Sequence, residues 1–416
     1  MNPLKVLSLL PILLWLPHAG AQTTLEAYVD TALQNNPSLK SYGFRAGALQ
    51  QKVSPAKTLM DPMVEVGVMN LPLNFSFTDE MMTMKQISLQ QSFPVSKKNA
   101  LSGSVAQTEF EAGTYDFQEQ ELLLARQVKW EYFELFVQTR SIEITQDNIE
   151  VMKTYLEIAN TRYSTGQGTQ QDILKAQLEL SKMQVELITM QSRREDLVAI
   201  FNTLLNRDRM EPVDVPEEIS YNAIDAGMET LMEEAMANNP SLRSARKMQS
   251  RDSLSYELAR TSRIPDLNAG VWYGNRQAKL PDGSKAGDMV GFSVGFGIPL
   301  YYKQKQNPLI AESRINMQKS QSDVEAIENE VLLMVHHAIS DVSSSGKRIL
   351  LYEKQLIPQA TANLNAGFIG YQQGKIDFMT LTDNLITLYK YRIQYYDLIA
   401  DYNKAVAQLA MLTGKK

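Results

Sequence analysis

The chain has 416 residues, 44% of them hydrophobic and 21% charged, with a formal net charge of −6. That length supports one large or two small domains, and mild acidity argues against nucleic acid as a partner. The absence of cysteine excludes thiol catalysis, thiolate metal sites and a lipid-anchored cysteine after a signal.

Residues 1–21 read as a signal peptide. Lys5 gives a positive start, Val6 to Leu16 is apolar but too short to span a bilayer, and Ala19-Gly20-Ala21 fits the small-residue cleavage rule. The mature chain is expected to begin at Gln22. Beyond residue 21 no apolar run reaches membrane-spanning length, so no transmembrane helix is expected. Strands could still cross a membrane, since their signal is much weaker.

The first repeat, 22–208, opens with an amphipathic helix over about 24–57, interrupted at Asn36-Pro37 because the residue before proline avoids the helical region. Two strands follow, about 62–70 and 84–93. Val64, Val66 and Val68 alternate with Glu65 and Gly67; Ile87, Leu89 and Phe93 alternate with Gln86, Ser88 and Gln90. Pro94 ends the pair, as proline cannot continue a ladder. A long helical hairpin then covers 95–208. Its first arm, about 95–163, is roughly 100 Å long at 1.5 Å rise per residue. No globular core uses a helix of that length; a tube or stalk does. After the turn Tyr163 to Gly168, the returning arm carries Ile173, Leu180, Leu187, Arg194 and Phe201 in one seven-residue series, and Ala176, Met183, Met190, Leu197 and Leu204 in another. Only Arg194 breaks this coiled-coil seam.

A connector with Pro212 and Pro216 spans 209–225, and the second repeat fills 226–416. Ala32-Leu33-Gln34-Asn35-Asn36-Pro37-Ser38-Leu39 recurs as Ala235-Met236-Ala237-Asn238-Asn239-Pro240-Ser241-Leu242. Phe93-Pro94 recurs as Ile298-Pro299, and Tyr163 and Gly166 recur as Tyr371 and Gly374. The second copy is expected to carry a helix, strands at about 266–274 and 289–298, and a hairpin over 302–412 kinked at Pro358. Val290, Phe292, Val294, Phe296 and Ile298 share one strand face, opposite Gly291, Ser293, Gly295 and Gly297. That suits a membrane strand with a lipid face and a small-residue lumen face. The fold class is therefore mainly α with a small β part: a tandem-duplicated unit of long coiled-coil helices plus two membrane strands. Four strands cannot close a barrel, and an open edge is not viable in lipid. An obligate oligomer with a shared barrel and a shared helical tube is expected.

These residues together resemble the TolC-type outer-membrane efflux proteins over nearly the whole mature chain. Asp61-Pro62-Met63 and the Met-rich first loop are most similar to the heavy-metal branch of CusC- and CzcC-like channels. The resemblance implies a homotrimer in outer-membrane lipid, extending into the periplasm of a Gram-negative cell as an α-helical tunnel. It implies a periplasmic adaptor and an inner-membrane pump, RND-type pumps among the options. The chain would be a passive duct, not an enzyme, and would need no cofactor. Alternatives are the outer component of a type I protein secretion system, or a structural coiled-coil stalk.

In that family aperture carboxylates stand six and nine residues after the turn glycine. The resemblance thus assigns a periplasmic gate to Asp172 and Asp383, with Thr380 a departure and Lys175 at the remaining position. A carboxylate ring favours cations, while Asp172 equally suits a helix start by complementing the dipole. The turns bearing Tyr163, Gly166, Gly168, Tyr371 and Gly374 are where adaptors of the family dock. Met63, Met69, Met81, Met82 and Met84, with Met60, are candidate weak soft-metal contacts; the alternative, which their flexibility favours, is apolar filling around the first strand pair. Gly291-Phe292-Ser293-Val294-Gly295 matches the nucleophile-elbow pattern but lies along a strand, which removes the hydrolase reading. His336 and His337, adjacent on a helix, make a poor metal pair.

Overall fold

The computed structural model describes residues 24–221 and 227–416. The signal-peptide reading and the end of the connector lie outside the described residues. Each repeat runs helix, helix, strand, strand, long helix, returning helix. The first contains α1 (Leu25–Asn35), α2 (Pro37–Lys57), β1 (Met63–Met69), β2 (Met84–Phe93), α3 (Lys98–Ser164) and α4 (Gln170–Leu204). The second contains α5 (Met228–Asn238), α6 (Pro240–Thr261), β3 (Leu267–Arg276), β4 (Met289–Phe296), α7 (Gln306–Leu351), α8 (Ile357–Gln372) and α9 (Phe378–Leu412).

The Asn-Pro breaks are built joints. Asn36 accepts from the Leu39 N–H at 3.1 Å, capping α2, and its amide donates to the Leu204 carbonyl at 3.0 Å. Asn239 repeats both bonds, accepting from Leu242 at 3.1 Å and donating to Leu412 at 3.2 Å. One side chain thus starts a helix and satisfies the end of the helix returning from the hairpin. The repeated motif is explained by this structural role.

Pro358 acts one turn earlier than expected. A π-helical turn, Tyr352–Leu356, separates α7 from α8, and the Ile357 N–H bonds to the Tyr352 carbonyl. Proline supplies no N–H, and a single wide turn resets the hydrogen-bond register ahead of it.

The strands form one antiparallel sheet in the order β1-β2-β3-β4. The β2–β3 pairing, from Met84 opposite Arg276 to Phe93 opposite Leu267, welds the two repeats together. Val66, Ile87, Tyr273 and Val290 lie across the sheet in one row; Val64, Leu89, Val271 and Phe292 lie in the next. All eight are exposed, an apolar face with nothing in the protomer to cover it. The other face differs from the expected small or polar one in carrying Trp272, and Met84 packed against Gly274. A Cβ on the facing Gly291 would lie 2.3 Å from the indole, so that glycine makes room for the ring. Among the described residues no helix is long and apolar enough to cross a membrane.

Below the sheet the wall is made of helices side by side, and the core is divided along its length. Tyr28, Val128, Tyr132, Leu197 and Phe201 join α1, α3 and α4. Leu231, Val335, Ile349, Leu398 and Leu412 join α5, α7 and α9, with Phe136 reaching in from α3. Ile149, Met152, Ala176, Met183, Tyr371, Phe378 and Leu381 join the two hairpins toward their tips. The seam residues Ala176, Met183, Leu197 and Phe201 are buried and the other six are partly buried. Arg194 stays within the series by donating to the Thr139 hydroxyl at 3.2 Å.

Candidate functional site

Both hairpins turn in the same way. Gly166 and Gly374 have φ of 73° and 72°, the left-handed region where a side chain is strained. The Gly166 N–H bonds to the Tyr163 carbonyl and the Gly374 N–H to the Tyr371 carbonyl, each at 3.0 Å. Gly168 has no such backbone demand; a Cβ there would press at 3.1 Å on Arg162 Cβ and the Tyr163 nitrogen.

The helices that follow are capped by exchanged residues. In the first hairpin Thr169 is the N-cap; its hydroxyl accepts from the Asp172 N–H at 3.3 Å and donates to the Asp172 carboxylate at 2.8 Å. In the second, Asp377 is the N-cap and accepts from the Thr380 N–H at 2.7 Å. The Thr380 departure is therefore half of a swap. Each turn keeps one threonine and one carboxylate, three residues apart, satisfying the first N–H groups of its helix. The helix-start reading of Asp172 holds on this geometry.

Asp172 also reaches across to the other hairpin, where the Tyr371 hydroxyl donates to it at 3.2 Å. Burial pushes the Tyr371 phenol up to about 12, with the Asp172 carboxylate adding to the effect. Arg162, whose counterpart in the second repeat is Gly370, fastens the same joint. Its guanidinium lies 4.7 Å from the Tyr371 ring centroid and donates to the backbone carbonyls of Tyr371, of Gln372 at 2.9 Å and of Gln167 at 3.0 Å. Arginine alone offers enough donors in a fixed fork to hold three carbonyls in two turns.

Asp383 is exposed one helical turn beyond Thr380. Lys175 is held by Glu179 at 2.9 Å, and that partner first, with Asp383 contributing, raises its ammonium above the ordinary range. Glu179 is buried, yet hydrogen bonds from Lys175 and Lys182 outweigh burial and hold its carboxyl low. Asp172 and Asp383 thus sit near the same end of the molecule among paired lysines.

The duplicated architecture and these turns carry a family signature. The model of the family described as outer membrane efflux protein matches residues 28–206 and again 231–415. The chain belongs to this family. The two matched segments fall one on each repeat, and membership makes the chain an outer-membrane efflux channel rather than an enzyme. The cobalt-zinc-cadmium resistance protein CzcC of Cupriavidus metallidurans is 20% identical over 306 residues, 70% of this chain and 67% of that protein. Among solved structures, VceC of Vibrio cholerae superposes with a TM-score of 0.81 at 16% identity, covering 94% of this chain and 96% of that one. CusC gives 0.81 at 14% identity, covering 95% and 93%. These likenesses confirm the fold of long helices carrying a small sheet.

Other residues of interest in this efflux channel lie away from the hairpin tips. Met63 and Met69 stand at opposite ends of β1, while Met69 lies opposite Met84 on β2. Met81 and Met82 are half-exposed in the loop and Met84 is buried. Met63 therefore stands apart, while Met69, Met81, Met82 and Met84 lie toward the loop end of the sheet. His336 and His337 are both exposed. Ser293 lies mid-strand opposite Gly270.

Farther up α9, Asp397 falls two heptads after Asp383. Its side chain is exposed in the protomer, yet partial desolvation by the helices around it first, and Asp401 next, raise its carboxyl above the ordinary range, against the pull of Lys404. A raised folded-state value favours the neutral acid; that contribution to stability is present at low pH and lost as pH rises through it. Because the side chain is exposed in the protomer and solvent screens it, Asp397→Asn should raise the melting temperature at neutral pH only slightly. The gain should vanish below about pH 4, where the unfolded aspartate protonates too. A pH-independent gain, or none, would count against this.

Proposed function

We propose that three copies of this chain close the sheet into a barrel and the helices into a periplasmic tunnel. Together they form the passive exit duct of a tripartite efflux system. The observation that carries the reading is the four-stranded sheet with two open edges and an uncovered apolar face, mounted on helices too long for a globular core. Such a sheet is stable in lipid only when closed. The hairpin tips are then the periplasmic mouth, with Asp172 and Asp383 as its carboxylates and Tyr163, Gly166, Gly168, Tyr371 and Gly374 shaping the ends offered to an adaptor. The energy comes from an inner-membrane pump. The likeness to CzcC favours heavy-metal cations as cargo. Conduction requires weak, multiple contacts, which suits methionines spread along a strand and loop.

Two measurements test this reading. In planar bilayers, the trimer carrying Asp172→Asn and Asp383→Asn should lose cation preference, read as a reversal potential shifted toward zero in a salt gradient. An unchanged reversal potential removes the gate assignment. Deletion in the native host should raise sensitivity to heavy-metal ions. Sensitivity confined to drugs, or loss of an exported protein instead, would refute the metal assignment.

A further inference from the structure

The loop end of the sheet gathers methionines from distant parts of the chain. On the face opposite the apolar rows, Met69 lies directly across from Met84, and Met289 directly across from Gly274. Gly274 stands diagonally from Met84, two residues before Arg276, the direct partner of Met84. A Cβ on Gly274 would overlap the Met84 sulfur, so the Met84 side chain runs over the glycine toward Met289. The Trp272 ring borders the same space. Directly paired residues have Cβ atoms about 4.5–5.5 Å apart, so three flexible thioethers from β1, β2 and β4 can meet at one point. Met84 is buried as the floor, with half-exposed Met69 and partly buried Met289 at its sides.

Apolar filling does not account for this trio. The face is otherwise mostly small or polar, with Gln86, Ser88, Gln90, Gly270, Gly291 and Ser293. In a closed barrel it meets water, where exposing a thioether stabilises nothing. Thioethers are soft, neutral ligands that select Cu(I) and ions like it. Among the described residues no three of His, Asp and Glu gather to hold an ion, so harder divalent ions have no comparable seat there. We infer that Met69, Met84 and Met289 form a soft-metal site for Cu(I) or Ag(I) in the barrel lumen, one in each protomer. The inference rests on the proposed export of heavy-metal cations and narrows the cargo to soft monovalent ions. The long helices adjoin the other end of the strands, so the site is the last contact before the ion leaves. Arg276, on the same face, donates to the Gly287 carbonyl and places a positive charge beside the neutral sulfurs. That charge keeps binding weak, and conduction requires release.

Tryptophan fluorescence reads the site. Trp130→Phe leaves Trp272 as the sole tryptophan beyond residue 21. In this variant, purified in detergent and chloride-free buffer, Ag(I) should quench Trp272 saturably at one ion per protomer, and Zn(II) should not. Leucine at Met69, Met84 and Met289 together should abolish saturable quenching, while Met63→Leu should leave it unchanged. Gly274→Ala keeps all three thioethers but displaces the Met84 sulfur, and should weaken Ag(I) binding by about tenfold or more. No quenching, equal quenching by Zn(II), or an Ag(I) affinity unchanged in the triple-leucine or Gly274→Ala variant overturns the proposal. If deletion in the host raises metal sensitivity while Ag(I) leaves Trp272 unquenched, the site fails and the efflux reading stands. If Ag(I) quenches as described while deletion leaves metal tolerance unchanged, the site stands and the metal cargo assignment fails.

Discussion

Replacing Arg162 with alanine is expected to raise the mean conductance of the reconstituted channel and make closed intervals rarer. Among the described residues Arg162 is the one side chain that touches both turns through their backbones. Hydrogen bonds to a charged group contribute about 1.5–3 kcal/mol each when part-buried. Even a net loss of about 2 kcal/mol from the closed state would shift a two-state mouth about thirty-fold, since about 1.4 kcal/mol is tenfold. Lysine should rescue poorly, because an ammonium cannot span three carbonyls in the geometry of the fork. Tyr371→Phe keeps the ring under the guanidinium and removes only the hydroxyl on Asp172, so its effect should be the smaller. Equal effects of the two variants, or an unchanged Arg162→Ala channel, would show that the latch does not hold the mouth.

The joint also shows where sequence reading succeeds and where it stops. Strand alternation is enforced residue by residue by the pleat, so Val64, Val66 and Val68 announce their face and the structure keeps it. The seam positions announce theirs for the same reason at period 3.5. The turn glycines repeat because each needs a positive φ. Arg162 is not legible from the duplication, because the second repeat does not share it. Its counterpart is Gly370, and a comparison that keeps what the repeats share discards what distinguishes them. The Thr169/Asp172 and Asp377/Thr380 exchange was hidden similarly, since position-by-position matching reads a swap as a loss. Trp272 was illegible because its room comes from Gly291 on the neighbouring strand, a contact that depends on register. The position of the π turn was not legible either: the sequence marks proline, not where the register yields.

Phe136→Ala should be the most destabilising single change in the helical wall. Phe136 is fully buried on α3, yet its neighbours are those of the second repeat: Leu398, Ile399 and Tyr402 on α9 share its cluster, and the Tyr396 ring stands edge-on at 5.7 Å. Truncating a buried phenylalanine costs about 3–5 kcal/mol through lost transfer energy and the cavity left behind. Helices packed in a row cannot collapse into that cavity without separating from their other neighbours, which argues for the upper part of the range. Phe201 is equally buried, but its cluster lies chiefly within the first repeat. The two truncations should therefore differ in kind. Phe201→Ala should lower the melting temperature of the trimer while leaving the repeats coupled. Phe136→Ala should in addition loosen the second repeat from the first, exposing α9 to limited proteolysis well below the melting transition. Similar proteolysis patterns for the two variants would mean that the repeats are held together chiefly by the β2–β3 pairing above and the Arg162 joint below. Phe136 would then be an ordinary core residue.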